Sequence, residues 1–265
     1  MCLNPPLIIS PVTQNTALGP ASLGTDSRTF NIIRDDFLIG GTKQRILGNI
    51  MDNSKSTEFV YAGPIYGFAQ IAIAYTAKLF NKKATIIIEK KIPMWPLSMK
   101  AKEYGARIIE VARHAPLKKI QLFAEHYVKN IKLIRGDDYI TLLPFGLCSN
   151  TYIDLLVNQI KLALPSEDFN PTRIWLTSGS GMVLQALYKV FPNTYFNIVQ
   201  VGKTIWPDQI DPSRSTLYIS SQKFHEVANI QPPYPTVKTY DAKAWEFVLK
   251  YGQSGDYIWN VAKDP

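Results

Sequence analysis

The sequence predicts an α/β protein whose sheets are mostly parallel. Segments with strand character alternate with segments of helical spacing over most of the 265 residues, which is typical of parallel sheets with crossover helices. Several strand segments are continuous apolar runs, as expected for parallel strands that are buried on both faces.

The individual elements follow from apolar spacing and from the glycine and proline residues between them. We predict strands at 30–34, 58–62, 84–89, 107–111, 139–143, 173–177, 196–201 and 215–220. We predict helices at 43–52, 66–80, 94–104, 117–130, 150–164, 181–191 and 242–251. Residues 1–29 contain proline, threonine and serine without periodicity, and we expect them to wrap the surface.

The composition is that of an ordinary folded protein, with 46% hydrophobic and 19% charged residues. Apolar runs are too short to span a bilayer, and no basic segment precedes an apolar stretch at the N-terminus, so we expect a cytoplasmic protein. Cys2 and Cys148 are too few for a disulfide framework or a structural metal site. His114, His126 and His225 lack metal-ligand spacing.

The most informative segment runs from Arg34 to Arg45. A short apolar strand leads into two acids, the Gly40-Gly41 pair and then Lys43, which opens a helical segment. Glycines allow a tight turn and the close approach of a ligand. A lysine at a helix N-terminus has a lower cost of becoming a neutral amine, the form that a Schiff base needs. The alternative is a turn that carries a solvated lysine.

A second segment has the arrangement of an anion site. An apolar strand at 173–176 is followed by a Ser/Gly loop and then by helical spacing at 182–190. Such a loop directs backbone N–H groups and a helix dipole at an anion. The loop residues are Thr177, Ser178, Gly179, Ser180 and Gly181. The same turn also links strands to helices for steric reasons alone.

A third segment, Thr239-Tyr240-Asp241-Ala242-Lys243, precedes a helical stretch near the C-terminus. Asp241 stands where an acid could serve a ligand or could cap the helix that follows. The sequence alone leaves both uses open.

In this order the three segments resemble the motifs of the fold-type II pyridoxal-phosphate enzymes, the tryptophan synthase beta-like superfamily. The most similar branch contains aminocyclopropane-carboxylate deaminase and D-cysteine desulfhydrase, with Gly-Gly-Asn-Lys, Thr-Gly-Ser-Gly and Tyr-Glu-Gly-Lys motifs. Lys43 falls on the aldimine lysine, and Thr42 replaces the asparagine. A fourth similarity, at 139–146, is a strand that ends in Pro-x-Gly.

The resemblance implies pyridoxal 5'-phosphate as the cofactor, held by Lys43 and by the loop from Thr177 to Gly181. It places Asp241 at the pyridine nitrogen and Tyr240 near the reacting carbon. It also implies two three-layer α/β domains with the cofactor in the interdomain cleft. The large domain would be 1–45 plus 137–265, and the small domain 46–136. Dimers are usual in this family, so we expect a homodimer.

The loop that binds the substrate carboxylate in this family carries a Ser-Asn signature. The matching segment here is 61–70, which lacks both side chains, and Pro64 removes a backbone donor. We expect substrate contacts from its backbone and from Tyr66, which is also a candidate catalytic residue. The predicted substrate-binding residues are Gly63, Ile65, Tyr66 and Gly67. This departure puts a plain free amino acid in doubt as the substrate, unless backbone donors suffice.

Positive charge is concentrated in residues 78–135. This segment contains 14 lysines and arginines and 4 glutamates, a net charge of +10, whereas the whole chain carries +8. Such a surface is either an ordinary solvated basic face or a binding surface for a polyanion such as nucleic acid.

The sequence therefore predicts a pyridoxal-phosphate enzyme that decarboxylates, deaminates or eliminates at the α-carbon of an amino acid or amino-acid-like group. One alternative is the same chemistry on an amino acid attached to a nucleic-acid base, as in hypermodified phage DNA. Others are a catalytically inactive binding module of this fold and an unrelated α/β nucleotide-binding protein, which would leave Lys43 without a role.

Overall fold

A computed structural model describes residues 4–17, 25–202 and 204–265, so Cys2 lies outside the described residues. The chain divides into two compact units. Among the described residues, unit 1 comprises Leu38–Gln159 with Asn4 and Pro265, and unit 2 comprises Pro5–Phe37 and Ile160–Asp264. Each unit contains its own sheet, which confirms the predicted α/β class with mostly parallel strands.

The strands are β1 (Ile9–Ala17), β2 (Thr25–Arg34), β3 (Glu58–Ala62), β4 (Lys83–Ile88), β5 (Arg107–Glu110), β6 (Ile140–Leu143), β7 (Arg173–Ser178), β8 (Tyr195–Gln200), β9 (Ser215–Ile219) and β10 (Tyr257–Asn260). The helices are α1 (Gln44–Asp52), α2 (Ala69–Leu79), α3 (Pro96–Glu103), α4 (Leu117–Arg135), α5 (Asn150–Ala163), α6 (Met182–Val190) and α7 (Lys243–Tyr251). Among the described residues, no helix is long and apolar enough to cross a membrane.

The sheet of unit 1 has the order β5-β4-β3-β6 with every pair parallel. All five residues of β3 are buried, as expected for a central parallel strand. Helix α4 packs its apolar stripe of Ile120, Ala124 and Val128 on this sheet, and α2 contacts the same strands. The matching residues of the sheet are Val60, Ala62, Ile87 and Ile140.

The sheet of unit 2 has the order β1-β2-β10-β7-β8-β9. Only the β1–β2 pair is antiparallel. Its core joins alternate residues of the strands to one face of α7. The buried members include Phe30, Ile32, Trp175, Trp245 and Val248. The indole ring of Trp245 meets the ring of Phe30 edge-on, with centroids 5.7 Å apart.

Two strands were not expected from the sequence. The described part of residues 1–29 does not simply wrap the surface, since β1 pairs along its whole length with β2 and forms one edge of the sheet. Residues 1–3 and 18–24, part of the same expectation, lie outside the described residues. Strand β10 is only four residues long, which is too short for a clear periodicity, yet it lies between β2 and β7.

The units also begin and end elsewhere than the domains expected at 46–136 and at 1–45 plus 137–265. Unit 1 extends from 38 to 159 because β6 pairs with β3 and α1 packs on α2. The segment that carries Lys43 therefore belongs to unit 1 and not to the unit that contains the Ser/Gly loop.

Asp256, which is 3% exposed, ties the start of β7 to the segment before β10. Its carboxylate accepts bonds from Arg173 Nε at 2.7 Å and Trp175 Nε1 at 2.9 Å, and from the Gln253 N–H at 2.9 Å. Asp256→Ala leaves the buried Trp175 indole N–H and the partly buried Arg173 guanidinium without their acceptor. We expect the free energy of unfolding to fall by about 3 kcal/mol, measured as a lower urea midpoint.

The matched control is Asp208→Ala, which removes an exposed carboxylate of the same unit. Its free energy of unfolding should change by no more than about 0.5 kcal/mol. Equal midpoints for the two variants would contradict the assignment of Asp256 as a core acceptor.

Candidate active site

The Ser/Gly loop of unit 2 connects β7 to α6. Strand β7 ends at Ser178, whose carbonyl accepts the Val201 N–H at 3.0 Å, and α6 begins at Met182. Gly181 has a φ of +80°, a conformation that favours glycine. Thr177 and Ser178 are buried, whereas Gly179 and Ser180 are partly exposed. The accessible part of the loop is therefore Gly179 and Ser180, just before a nine-residue helix.

The Tyr240–Asp241 turn meets this loop within unit 2. Thr177 Oγ1 donates to the Asp241 carbonyl at 3.5 Å, and Tyr240 Oη donates to the Thr177 carbonyl at 3.4 Å. A Cβ atom added to Gly179 would lie 3.4 Å from Tyr240 Oη. The structure thus brings together the predicted phosphate loop and the predicted ring-nitrogen acid.

Burial and charge fix the protonation of Tyr240. Its phenol is enclosed, and burial together with the negative charge of Asp241 raises its pKa well above the ordinary value, while the Gly179 N–H opposes this shift. Burial, Asp241 and Asp36 raise the pKa of Tyr234 in the same way. Both phenols are neutral at physiological pH, and Tyr240 acts as a donor. Tyr234 was missed by sequence reasoning because it lies in a proline-rich loop without a motif.

The alternative use of Asp241 as a helix cap is not observed. Helix α7 begins at Lys243, and the residue at its N-cap is Ala242, with no side-chain capping bond. Asp241 instead lies before the cap and is only 7% exposed.

Lys243 is a second buried ionisable group at this turn, which sequence reasoning did not single out. It is 1% exposed, and its Nζ donates to the Lys223 carbonyl at 2.6 Å. Burial lowers the pKa of the ammonium to about 8, and Glu226 opposes the shift. The bond ties segment 223–226 to the turn that carries Tyr240.

Lys43 lies in unit 1 at the end of a single 3-10 turn, Gly41–Lys43, directly before α1. Gly41 has a φ of +62°, and a Cβ atom at Gly40 would lie 2.8 Å from the Cα atom of Ala72. The Gly40 N–H donates to Gln44 Oε1 at 2.8 Å. The Gly-Gly pair is therefore required by a positive φ and by close packing on α2, and it fixes the backbone that presents Lys43.

The predicted substrate loop joins β3 to α2. Gln70, which is 1% exposed, donates to the carbonyls of Ile65 at 2.8 Å and Gly67 at 3.0 Å, and accepts a bond from Ser98 Oγ at 2.8 Å. Gly63 lies against the ring of Tyr61. Tyr66 accepts a hydrogen bond from Lys91 Nζ at 2.8 Å and packs edge-on against Trp95.

Lys91 and Trp95 were missed because they follow β4, a different strand from the one that precedes the motif. A signal was present, since adjacent parallel strands end at the same edge of a sheet and bring their loops together.

Several of the 14 basic residues between 78 and 135 have partners within unit 1. Lys82 Nζ donates to the carbonyls of Ser54 and Ser56, at 3.1 and 2.9 Å, and Lys100 pairs with Glu103 at 2.9 Å. Lys82 therefore closes a turn instead of offering its charge to a partner. Binding of nucleic acid by the basic residues between 78 and 135 stays a prediction.

The buried ammonium of Lys243 gives a pH-dependent stability. Its pKa is about 8 in the folded protein against a reference value of 10.5, so between these pH values only the unfolded chain retains the proton. The free energy of unfolding of the wild type, minus that of Lys243→Met, should rise from about pH 8 to about pH 10.5. Chemical denaturation at each pH measures it. Lys161→Met, at an exposed site, should show a flat difference, and a flat difference for Lys243→Met would contradict the burial.

No protein-family model and no curated protein matches the chain, but solved structures do. An ACC deaminase homologue matches with a TM-score of 0.70 and 15% identity over 89% of this chain and 84% of that chain. A hydrogen sulfide-producing enzyme from Fusobacterium nucleatum matches with a TM-score of 0.65 and 12% identity over 99% and 96%. Maize serine racemase matches with a TM-score of 0.58 and 14% identity over 90% and 85%. The chain has the fold of the fold-type II pyridoxal-phosphate enzymes, as its motifs predict.

Proposed function

We propose that the protein is a pyridoxal-phosphate-dependent enzyme that acts at the α-carbon of an amino acid or amino-acid-like group. The observation that carries the proposal is the contact, within unit 2, between the Ser/Gly loop and the turn bearing the buried Asp241. One unit thereby offers donors for a phosphate and a carboxylate for a ring nitrogen. The shared fold supports the same assignment.

The residues of the loop fit a phosphate group. Glycine is required at both positions, since a Cβ atom at Gly179 would lie 3.2 Å from the Val201 carbonyl and one at Gly181 would lie 2.9 Å from Gln209 Nε2. The N–H groups at the start of α6 and the hydroxyl of Ser180 are suitable donors for an anion. We infer that Thr177 and Ser178, which are buried, shape the loop, and that Gly179, Ser180 and Gly181 bind the phosphate.

The buried acid fits the pyridine end of the cofactor. When bound, pyridoxal phosphate supplies an electron sink that stabilises negative charge at the α-carbon of the substrate. Asp241 would keep a proton on the ring nitrogen, because a buried carboxylate favours a positive charge beside it. This role distinguishes the protein from enzymes that place a hydroxyl there, and it suits decarboxylation, deamination or elimination.

Lys43 would hold the cofactor through its amine and then move a proton at the α-carbon. Its backbone is fixed by the Gly40-Gly41 turn, so the amine is presented from a defined position on unit 1. Sequence reasoning gave Tyr240 a role in proton transfer. The geometry supports a different use, in which its neutral phenol bridges the Thr177 carbonyl and the Gly179 N–H and holds the phosphate loop.

Lys43→Ala tests the assignment of the cofactor-bearing amine. The purified wild type, after addition of pyridoxal phosphate, should show the visible absorbance band of the cofactor joined to a lysine, and Lys43→Ala should lose it because no other amine takes its place. Lys55→Ala, at an exposed lysine of the same unit, should keep the band.

Retention of the band in Lys43→Ala would overturn this assignment. If the band were then lost on substitution of Lys243, that buried lysine would be the residue that binds the cofactor. A wild type that binds no cofactor would instead favour a binding module that has only the fold.

Tyr240→Phe tests the role of the phenol. Removing one hydroxyl that bridges the loop should weaken cofactor binding by roughly three- to tenfold, the equivalent of one hydrogen bond. Titration with pyridoxal phosphate, followed by absorbance, measures this affinity. Tyr251→Phe, at a half-exposed tyrosine of unit 2, is the control and should bind as the wild type does. Unchanged affinity with lost turnover would return Tyr240 to a role in proton transfer.

A further inference from the structure

The loops that follow β3 and β4 lie side by side in unit 1. These strands are parallel neighbours, with Ala62 opposite Ile87, and the Gly63 N–H donates to the Ile87 carbonyl at 3.3 Å. Parallel strands end at the same edge of a sheet, so residues 63–68 and 89–95 emerge together. Side chains from both loops are therefore available to bind a ligand at this edge.

Lys91 presents its ammonium to the β3–α2 loop. Its Nζ lies 2.8 Å from Tyr66 Oη, 5.2 Å from the centroid of the Tyr66 ring and 5.5 Å from that of Trp95. The two rings meet at 90° with centroids 4.7 Å apart. An ammonium has three donors, and the bond to Tyr66 uses one of them. The aromatic rings hold the cation in place without neutralising its charge.

The surroundings of Lys91 fix its position. Its backbone N–H donates to Glu110 Oε1 at 3.4 Å, and the Lys90 N–H donates to the Ala112 carbonyl at 3.4 Å. Lys91 is half-buried, whereas its neighbour Lys90 is exposed. A cation held partly out of water binds an anion more strongly than one on an open surface.

The opposing loop is equally well fixed. The buried amide of Gln70 donates to the carbonyls of Ile65 and Gly67, and it is itself held by Ser98 of α3. The Gly67 N–H closes a turn on the Pro64 carbonyl at 2.9 Å. Hydrogen bonds on both sides of Tyr66 thus fix the conformation of its loop, so the Tyr66 hydroxyl has a fixed position relative to Lys91.

We propose that Lys91 and Tyr66 bind the carboxylate of the substrate, with Trp95 as the wall that orients Lys91. This inference rests on the proposed function and names the substrate class as a small amino acid with a free carboxylate. A cation and a hydroxyl replace the Ser-Asn side chains that the loop lacks, so the missing signature does not exclude a free amino acid. An amino acid joined to a carrier through its carboxyl group would leave Lys91 without its anion.

The test compares alanine with ethylamine, which is alanine without its carboxylate, on the cofactor-loaded protein. The concentration that half-saturates the change in the visible spectrum is measured at equilibrium for the wild type, Lys91→Met and Lys90→Met. For alanine it should rise by roughly ten- to a hundredfold in Lys91→Met, the equivalent of a charge-assisted hydrogen bond, and stay unchanged in Lys90→Met. For ethylamine it should change little in either variant.

Equal half-saturation by alanine and ethylamine in the wild type would overturn the proposal, as would equal effects of the two substitutions on alanine. Lys91→Arg, which keeps the charge, should retain most of the preference for alanine, so that loss of the preference in Lys91→Met is not misread as misfolding. Loss in both variants would show that the position is structural and would overturn the proposal.

A second readout needs no cofactor. Acylation of the apoprotein with acetic anhydride, followed by peptide mass analysis, should show acetate protecting Lys91 more than Lys90. Absence of protection would overturn the anion site, whereas absence of the visible band in the wild type would overturn only the proposed function. Duplex DNA binding that Lys90→Met and Lys91→Met weaken equally would assign Lys91 to a polyanion surface instead.

Discussion

Parallel strand pairing is the constraint on which the candidate site depends. A parallel ladder sends every loop that follows a strand to one edge of its sheet, so distant sequence segments become neighbours there. In unit 2 this pairing sets the loop after β7 beside the residue after β8, through the Val201 N–H and the Ser178 carbonyl. In unit 1 it sets the Tyr66 loop beside Lys91. Each unit thereby gathers candidate binding groups at the carboxyl ends of its parallel strands.

The second determinant is the turn that precedes α7. Trp245 and Val248 anchor this helix in the core of unit 2, which fixes Tyr240 and Asp241 on the residues just before it. Asp241 is buried there at an electrostatic cost, and its charge raises the pKa of the Tyr240 and Tyr234 phenols. Burying a carboxylate costs desolvation free energy, so this burial does not by itself stabilise the fold. The contact of the Asp241 main-chain carbonyl with Thr177 of the Ser/Gly loop is the observation on which the proposed cofactor site rests.

Sequence reasoning succeeded where one residue type satisfies a local constraint. Gly41 and Gly181 adopt positive φ values, and the apolar runs at 58–62 and 173–177 form buried parallel strands, so the fold class and these two glycine turns could be predicted from local patterns. It failed where a strand is defined by pairing with a segment that is distant in the sequence. Strand β1 exists because β2 offers it an edge, β10 is defined by its two neighbours, and β6 joins unit 1 by pairing with β3. None of these pairings leaves a local pattern.

The lysines show why charge counting cannot identify a site. Lys82 and Lys91 contribute equally to the positive charge of residues 78–135, yet Lys82 donates to two backbone carbonyls of a turn, whereas Lys91 meets a phenol and an indole at the sheet edge. Lys43 owes its candidate role to the Gly-Gly turn before it, and Lys243 is buried against a carbonyl. The contacts of each ammonium group distinguish a lysine that stabilises the fold from one that can bind a substrate. The number of lysines in a segment does not. By that criterion the basic excess is a mixture of roles, and Lys91 is the member to which the proposal above assigns the substrate.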